Sequence, residues 1–201
     1  MNITKDSREA IKARGHYKAT ICDPSRAGSA YENVLKFLKE NPFEWLIGDE
    51  AKRRHGEIYR ELVRAYERLA VVQVLEYENL VPTDGLNVLA RRLANDTTYS
   101  GIVNYAALGS GIATPALGDT QLGTEVYRKT IDSSTFVNNI AYLSCFIPQG
   151  TATGTHNEGG LFIDGTGSAN TGKIFSHVLF TPAITKGALN SLTLDVTITL
   201  T

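Results

Sequence analysis

The chain has 201 residues, of which 42% are hydrophobic and 20% charged, and its formal net charge is −1. This length suits one domain of generous size or a domain with an insertion, and the composition excludes an intrinsically disordered chain. The charge balance argues against nucleic-acid binding, which needs clustered cations. The one tight cluster, Lys52-Arg53-Arg54, lies among glutamates and is typical of a solvated helix face.

The first residues, Met1-Asn2-Ile3-Thr4-Lys5-Asp6, lack the apolar run of a secretory signal. No segment approaches the ~18–20 apolar residues of a transmembrane helix. We therefore expect synthesis in a cytoplasm and no membrane partner. Cys22 and Cys145 fall in strand-like runs without partners at metal-ligand spacing, so both are predicted to be small buried hydrophobes of a reducing compartment. A single disulfide between them is the less favoured alternative.

The elements before residue 81 are predicted in chain order as a short helix over 5–14, ended by Gly15, a strand over 15–22 and a turn over 23–28. A helical hairpin follows over 29–68. Ser29 and Glu32 form a capping box, and Asn41-Pro42 ends the first helix. Because a strand follows at 71–80, we interpret 29–68 as an insertion between two neighbouring strands. Residues 1–28 then supply the first strand of a β-domain that continues over 69–201.

A further helix is predicted after Pro82, capped by Thr83-Asp84, with an apolar face of Leu86, Leu89, Ala90 and Leu93. Beyond residue 100 the composition changes. That segment holds four of the 20 Lys and Arg residues but 13 of the 18 glycines, which is typical of twisted antiparallel sheet. Strands are predicted over 103–108, 124–131, 136–147, 160–163 and 173–180.

The strictest alternation lies at the end of the chain. Its apolar residues alternate with Thr and Asp, which predicts an amphipathic strand with these five side chains in the core: Leu192, Leu194, Val196, Ile198 and Leu200. The predicted fold is mainly β with an α insertion. It is an antiparallel, jelly-roll-like β-sandwich with a helical hairpin and one further helix.

Catalytic and metal-binding patterns are weak. Gly109-Ser110-Gly111 resembles a phosphate loop only superficially, since no Gly-Lys-Ser/Thr ending follows, and its glycines suit a tight turn with positive φ. The spacing of His156, Glu158 and Asp164 matches no zinc or calcium motif, so we expect loop carboxylates that cap backbone N–H groups. His177 is predicted to be a satisfied sheet histidine. We predict no catalytic residue, no cofactor and no metal.

Two sets of residues are predicted to matter for structure and assembly. Arg128 lies in a strand poor in cations and is expected to form a bidentate ion pair that orders loops, with Glu125 or Glu158 as the partner. The helical hairpin carries more apolar surface than two short helices can bury against each other. Its predicted interaction residues, with Trp45 as the anchor, are Leu38, Trp45, Ile58, Leu62 and Tyr66.

Several segments together resemble a family of tailed-bacteriophage virion proteins, of the kind described as tail-fibre, baseplate or minor structural components. The resemblance covers roughly residues 70–201 and the strand near 15–22. It lies in Tyr105-Ala106-Ala107-Leu108-Gly109-Ser110-Gly111, Gly118-Asp119-Thr120-Gln121-Leu122, Glu125-Val126-Tyr127-Arg128-Lys129, Glu158-Gly159-Gly160-Leu161-Phe162-Ile163-Asp164-Gly165-Thr166 and Lys173-Ile174-Phe175-Ser176-His177-Val178. The family supplies no catalytic residues. The insertion at 29–68 departs from its form, in which a short turn would join the two strands.

The resemblance implies a non-enzymatic structural subunit of a virion, in tail, fibre anchor, neck or head decoration. Its expected partners are copies of itself and other virion proteins. The alternative is a carbohydrate- or receptor-binding module of a tail tip, which needs exposed aromatic side chains on β-loops. A third class, a hydrolytic spike enzyme, needs a carboxylate pair in a cleft.

Overall fold

The computed structural model describes residues 13–28 and 70–201, with isolated helical positions between them at 32–33, 36–37, 40, 57–58, 61 and 64. The predicted helix over 5–14 lies outside the described residues except at its last two positions. Most of the predicted hairpin over 29–68 also lies outside them.

Nine strands and two helices make up the described part of the fold. Strand β1 (Ala13–Cys22) is followed by a short helix α1 (Pro24–Ala27), strand β2 (Val71–Asn79) and helix α2 (Thr83–Leu93). The remaining strands are β3 (Val103–Gly109), β4 (Glu125–Thr130), β5 (Ser133–Val137), β6 (Ile140–Ile147), β7 (Gly154–Ile163), β8 (Lys173–Lys186) and β9 (Ser191–Leu200).

The strands form two antiparallel sheets. Sheet A has the order β2-β1-β9-β6-β5, and sheet B has the order β4-β3-β7-β8. In sheet A the first and last strands of the chain pair over their full length, from Ala13 opposite Leu200 to Cys22 opposite Ser191. This pairing places β9 at the centre of sheet A. In a central strand, the alternation of apolar and polar residues decides which side chains are buried in the core. The prediction of a mainly β, antiparallel sandwich with a helical insertion is confirmed.

The main core lies between the two sheets. Leu192, Leu194, Val196 and Ile198 of β9 are buried there, as their alternation predicts. The fifth predicted core residue, Leu200, is 38% exposed because it ends the strand. A buried hydrogen bond of 2.9 Å between the Tyr17 hydroxyl and Ser176 Oγ also links β1 to β8 across the core.

Sheet B is apolar on both faces. A second cluster lies on the side away from the main core and contains Ala107, Leu122, Phe162 and Ile174. Leu122 comes from the loop over residues 110–124, which contains no strand or helix. The side chain fits because Gly160 has no Cβ, which would lie 3.0 Å from Leu122 Cδ2. The 110–124 loop therefore acts as a third layer over sheet B.

Three local predictions before residue 96 are wrong. Gly15 does not end a helix; it lies inside β1 and is paired on both sides. The segment 23–28 is not a simple turn, because Asp23 accepts a hydrogen bond from Ser25 N and caps α1. The N-cap of α2 is Pro82, and no side chain caps it.

The apolar face of α2 is only partly the predicted one. Leu86 and Leu89 are half-buried against the main core, but Ala90 and Leu93 are exposed. Gly85 and Val88 are its buried residues, whereas Leu93 is 85% exposed. The reason is the close approach to β8: a Cβ on Gly85 would lie 2.9 Å from the Phe175 Cα. The helix therefore packs through its smallest residue, which hydrophobicity alone does not indicate.

The predicted strand over 136–147 is a hairpin instead. Asn138 and Asn139 form its turn, with Asn138 at φ 56°, a conformation that Asn tolerates better than most residues. The turn divides the segment into β5 and β6. Cys145 lies buried in β6 and Cys22 is half-buried in β1, without a disulfide between them. Burial raises the pKa of the Cys145 thiol to about 11.

The central position of β9 yields a stability prediction. We expect Val196→Asp to place an unpaired charge between the sheets and to lower the free energy of unfolding by more than about 4 kcal/mol. The control is Thr197→Asp, because the neighbouring side chain points to the opposite face. Urea unfolding followed by circular dichroism measures both. Equal stability of the two variants would contradict the assigned register of β9.

Candidate functional site

A buried carboxylate organises the outer face of sheet B. Glu158 of β7 is completely buried beneath the 110–124 loop. Its Oε1 accepts hydrogen bonds from Gly111 N at 2.9 Å and Thr124 N at 2.8 Å, and its Oε2 accepts one from Gly123 N at 3.0 Å. One carboxylate therefore holds both ends of a loop of fifteen residues, a length that is uncommon without a role in function.

The pKa of Glu158 reflects these contacts. Burial by itself raises the pKa of this carboxyl, but the hydrogen bonds from Thr124, Gly123, His177 and Gly111 outweigh burial and hold the pKa below its ordinary value. Glu158 is thus ionised and acts as an internal anion for backbone donors.

The glycines near residue 110 make room for this carboxylate. A Cβ on Gly109 or on Gly111 would lie 2.4 Å from Glu158 Oε1. Neither glycine has a positive φ, so the expected tight turn does not explain them. The loop does have the anion-binding geometry of which a phosphate loop is one example, but its anion is a side chain of the same protein.

His177 of β8 joins Glu158 to a second carboxylate. Its Nε2 lies 3.1 Å from Glu158 Oε2, and its Nδ1 lies 2.7 Å from Asp119 Oδ2. The same Asp119 oxygen accepts a hydrogen bond from Ala116 N at 2.8 Å. Since an ionised carboxylate only accepts, Nε2 of the imidazole donates to Glu158. The three side chains form a chain of contacts that fixes the middle of the loop.

Arg128 organises the opposite end of the same face. Its Nε and Nη2 donate to Glu125 Oε1 at 2.5 Å and Oε2 at 2.8 Å, and both side chains are almost completely buried. Its Nη1 reaches the Thr166 and Thr171 carbonyls at 3.0 and 3.1 Å, and its guanidinium lies 4.7 Å from the centre of the Phe162 ring. The ion pair therefore holds the 164–172 loop, as a bidentate pair allows.

The predicted site residues separate into different contacts. The structure brings Arg128 together with Glu125, but Glu158 lies with His177 and not with Arg128, because its carboxylate is enclosed by the 110–124 loop. His156 Nε2 donates to the Ala152 carbonyl at 2.8 Å, and Asp164 accepts from Ser100 N. Across residues 13–28 and 70–201, no three His, Cys, Asp or Glu side chains are arranged to hold a metal ion.

The sequence prediction missed the pairing of Asp119 with His177. These residues are 58 positions apart, and neither lies in a motif that would indicate a partner. Of the five predicted interaction residues, only Ile58 lies among the described residues. Ile58 is exposed at a helical position, whereas Leu38, Trp45, Leu62 and Tyr66 lie outside the described residues.

The 110–124 loop presents apolar side chains on a fixed backbone. Ile112 is 79% exposed and Leu117 is 58% exposed. The loop backbone has a further contact besides those with Glu158, because Thr83 N of α2 donates to the Leu117 carbonyl at 2.9 Å. Exposed apolar residues on a rigid loop are typical of a contact surface rather than of a reaction centre.

The Glu158 contacts predict a pH-dependent stability. We expect Glu158→Gln to lower the free energy of unfolding by about 2–4 kcal/mol at neutral pH, because backbone donors lose a charged acceptor. The folded-state pKa of Glu158 is lowered, so its contribution is present above the unfolded value of about 4.3 and is lost as pH falls through the folded value. Stability of the wild type should therefore fall more steeply in acid than that of the variant.

Urea unfolding over a series of pH values checks both expectations. The matched control is Glu76→Gln on β2, whose side chain is mostly exposed, and which should change stability by no more than about 0.5 kcal/mol. An acid slope that is identical in wild type and Glu158→Gln would show that Glu158 is not ionised in the folded state.

No helix in the described part of the chain is long and apolar enough to span a membrane. Comparisons with models of protein families, with curated proteins and with solved structures found no match to the chain. The bacteriophage resemblance therefore rests on the sequence segments given above.

Proposed function

We propose that this chain is a non-enzymatic structural subunit of a bacteriophage virion, which works through protein–protein assembly after synthesis in the host cytoplasm. Its station is one of tail, fibre anchor, neck or head decoration, and its partners are other copies and other virion proteins. The virion assignment rests on the sequence resemblance, and the observation that supports a non-enzymatic role is the internal binding of the acidic side chains in the β-domain.

Each of the six carboxylates after residue 100 is bound to the protein itself. Glu125 pairs with Arg128, and Glu158 and Asp119 bind His177 and loop backbone. Asp132 pairs with Lys129 and also accepts from Phe146 N. Asp164 accepts from Ser100 N, and Asp195 accepts from Ser144 Oγ at 2.7 Å. These contacts fix loops and strands, which favours a rigid assembly subunit over an acid–base catalyst.

The exposed aromatic side chains favour assembly over glycan binding. In the described part of the chain they are Phe136, Tyr142 and Phe146, and all three lie on β5 or β6 rather than on loops. A carbohydrate-binding module would need them at the loop tips. The apolar residues exposed on the 110–124 loop, Ile112 and Leu117, are aliphatic and suit a protein partner.

The loop yields the first test of this function. We expect the double variant Ile112→Ser/Leu117→Ser to fold normally and to enter particles at a clearly reduced level, because both side chains are exposed in the protomer and burial of apolar surface drives protein association. The control is Leu93→Ser/Leu189→Ser, which removes two highly exposed side chains elsewhere. Quantitative mass spectrometry of purified particles measures the copy number. Equal incorporation of both variants would show that the exposed side chains of the loop make no essential contact in the particle.

The insertion yields the second test. Cys22 is paired with Val71, and Asp23 N donates to the Ala70 carbonyl at 2.8 Å, so the two ends of the insertion lie side by side. We expect a chain in which a short Gly/Ser turn replaces residues 29–68 to keep a folded β-domain and to lose assembly. Circular dichroism checks whether the β-domain folds, and the copy number in purified particles checks whether assembly is lost. A chain that enters particles at normal occupancy would show that the insertion contributes no essential contact, and failure to fold would place it in the core.

A further inference from the structure

The two sheets have four edge strands in the described part of the chain, and three of them carry features that oppose further pairing. An open edge can accept a strand from another chain, and charges, prolines and bulges prevent this. Strand β4 carries Glu125, Arg128 and Lys129. Strand β8 carries Lys173, Pro182 and Lys186, and β2 carries Glu76 and Glu78. All four cations that follow residue 100 thus lie on the two edges of sheet B.

Strand β5 has none of these features. Its sequence, Ser133-Ser134-Thr135-Phe136-Val137, has no charge and no proline, and its pairing with β6 is regular over all five positions. Every one of the five residues is exposed, and Phe136 is 76% exposed. Thr, Phe and Val are also residues that favour strands. Among the described strands only β6 pairs with β5, and the other edge of β5 is therefore suited to one more strand.

We propose that a second copy of this chain occupies this edge, with its own β5 antiparallel to the first about a two-fold axis. The inference deepens the proposed assembly function and rests on it, since it names the partner and the surface. A second copy suits the edge because the strand is uncharged, so two identical strands can approach without repulsion. The two five-stranded sheets then form one continuous sheet across the dimer.

Symmetry restricts the register. A two-fold axis normal to a sheet must relate side chains on the same face, so a residue can lie opposite itself but not opposite its sequence neighbour. The register that pairs all five residues has Thr135 opposite Thr135 of the second copy. Ser133 then lies opposite Val137, and Ser134 lies opposite Phe136.

The register also accounts for the exposed aromatic ring. Phe136 and Ser134 point to the face of sheet A that carries the buried Leu143, and both line an apolar cavity of about 270 Å³ at this end of the sandwich. The second copy would bring its own Phe136 and Ser134 to this same face. Pairing would therefore cover a ring that the protomer leaves in water, and burial of apolar area is the main source of stability in such contacts.

The first experiment measures the mass of the purified full-length chain in solution by light scattering over a wide range of concentration. We expect a concentration-dependent dimer. Thr135→Lys should raise the dissociation constant of the dimer by up to about fivefold, since like charges then lie opposite each other. Mixing it with Thr135→Glu should restore association. Val74→Lys is the control, because Val74 is also exposed but lies on β2, the other edge of sheet A.

Disulfide trapping tests the register. Opposed Cα atoms in antiparallel strands are about 4.5–5.5 Å apart, within the range of a disulfide. Thr135→Cys alone should form a covalent dimer under mild oxidation, and Val137→Cys alone should not. A mixture of Ser133→Cys and Val137→Cys chains should cross-link to each other. All chains in this experiment carry Cys22→Ser, because Cys22 is only half-buried, whereas Cys145 is buried and provides no competing thiol.

The outcomes separate this inference from the proposed function. A wild-type chain that stays monomeric at every concentration overturns the dimer, as does a dimer that Thr135→Lys and Val74→Lys weaken equally. Cross-linking of Val137→Cys but not Thr135→Cys also overturns the register. None of these results alters incorporation into particles, which is measured separately and alone decides the virion assignment.

Discussion

The burial of the Glu158 carboxylate is the constraint on which the outer half of this fold depends. A charge on a covered sheet face costs several kcal/mol unless donors surround it. Here the donors are Gly111, Gly123 and Thr124 N–H groups from both ends of one loop, together with His177. The loop must therefore lie over the sheet for the charge to be tolerated. Leu122 can reach its pocket only because that loop is held there.

Arg128 has the same role at the opposite end, where it binds the 164–172 loop through the Thr166 and Thr171 carbonyls. Sheet B thus has a fixed outer layer, whereas sheet A ends at β5 with its five residues exposed. This asymmetry gives the described part of the molecule two different kinds of exposed surface. On one side a rigid loop presents single apolar side chains, and at the other a strand edge presents backbone groups. Under the proposed assembly function, the loop would suit an unlike partner and the strand edge a second copy.

The parts of the fold that could be predicted are those with local physical causes. Alternation in β9 shows which residues face the core because strand geometry alone decides it. Several of the wrong predictions depended on distant neighbours. Gly85 determines the packing of α2 only because Phe175 lies against it, and Gly109 is required only because Glu158 lies there. The Asp119–His177 contact joins residues from a loop and a strand far apart in sequence, so no spacing indicates it.

The small number of charged residues in the β-domain relates the held loops of sheet B to the uncharged edge of sheet A. Only four cations and six acids follow residue 100. A charged side chain that holds a loop, or that prevents pairing at one strand edge, cannot also protect another edge. The cations lie on β4 and β8, where they flank sheet B, and the acids bind loops or neighbouring strands. Strand β5 has no charge at the edge of sheet A, where a soluble monomer would need one to avoid association. A chain selected to remain single would be expected to carry a Lys or Glu there, so the uncharged edge supports the proposed pairing of β5 with a second copy.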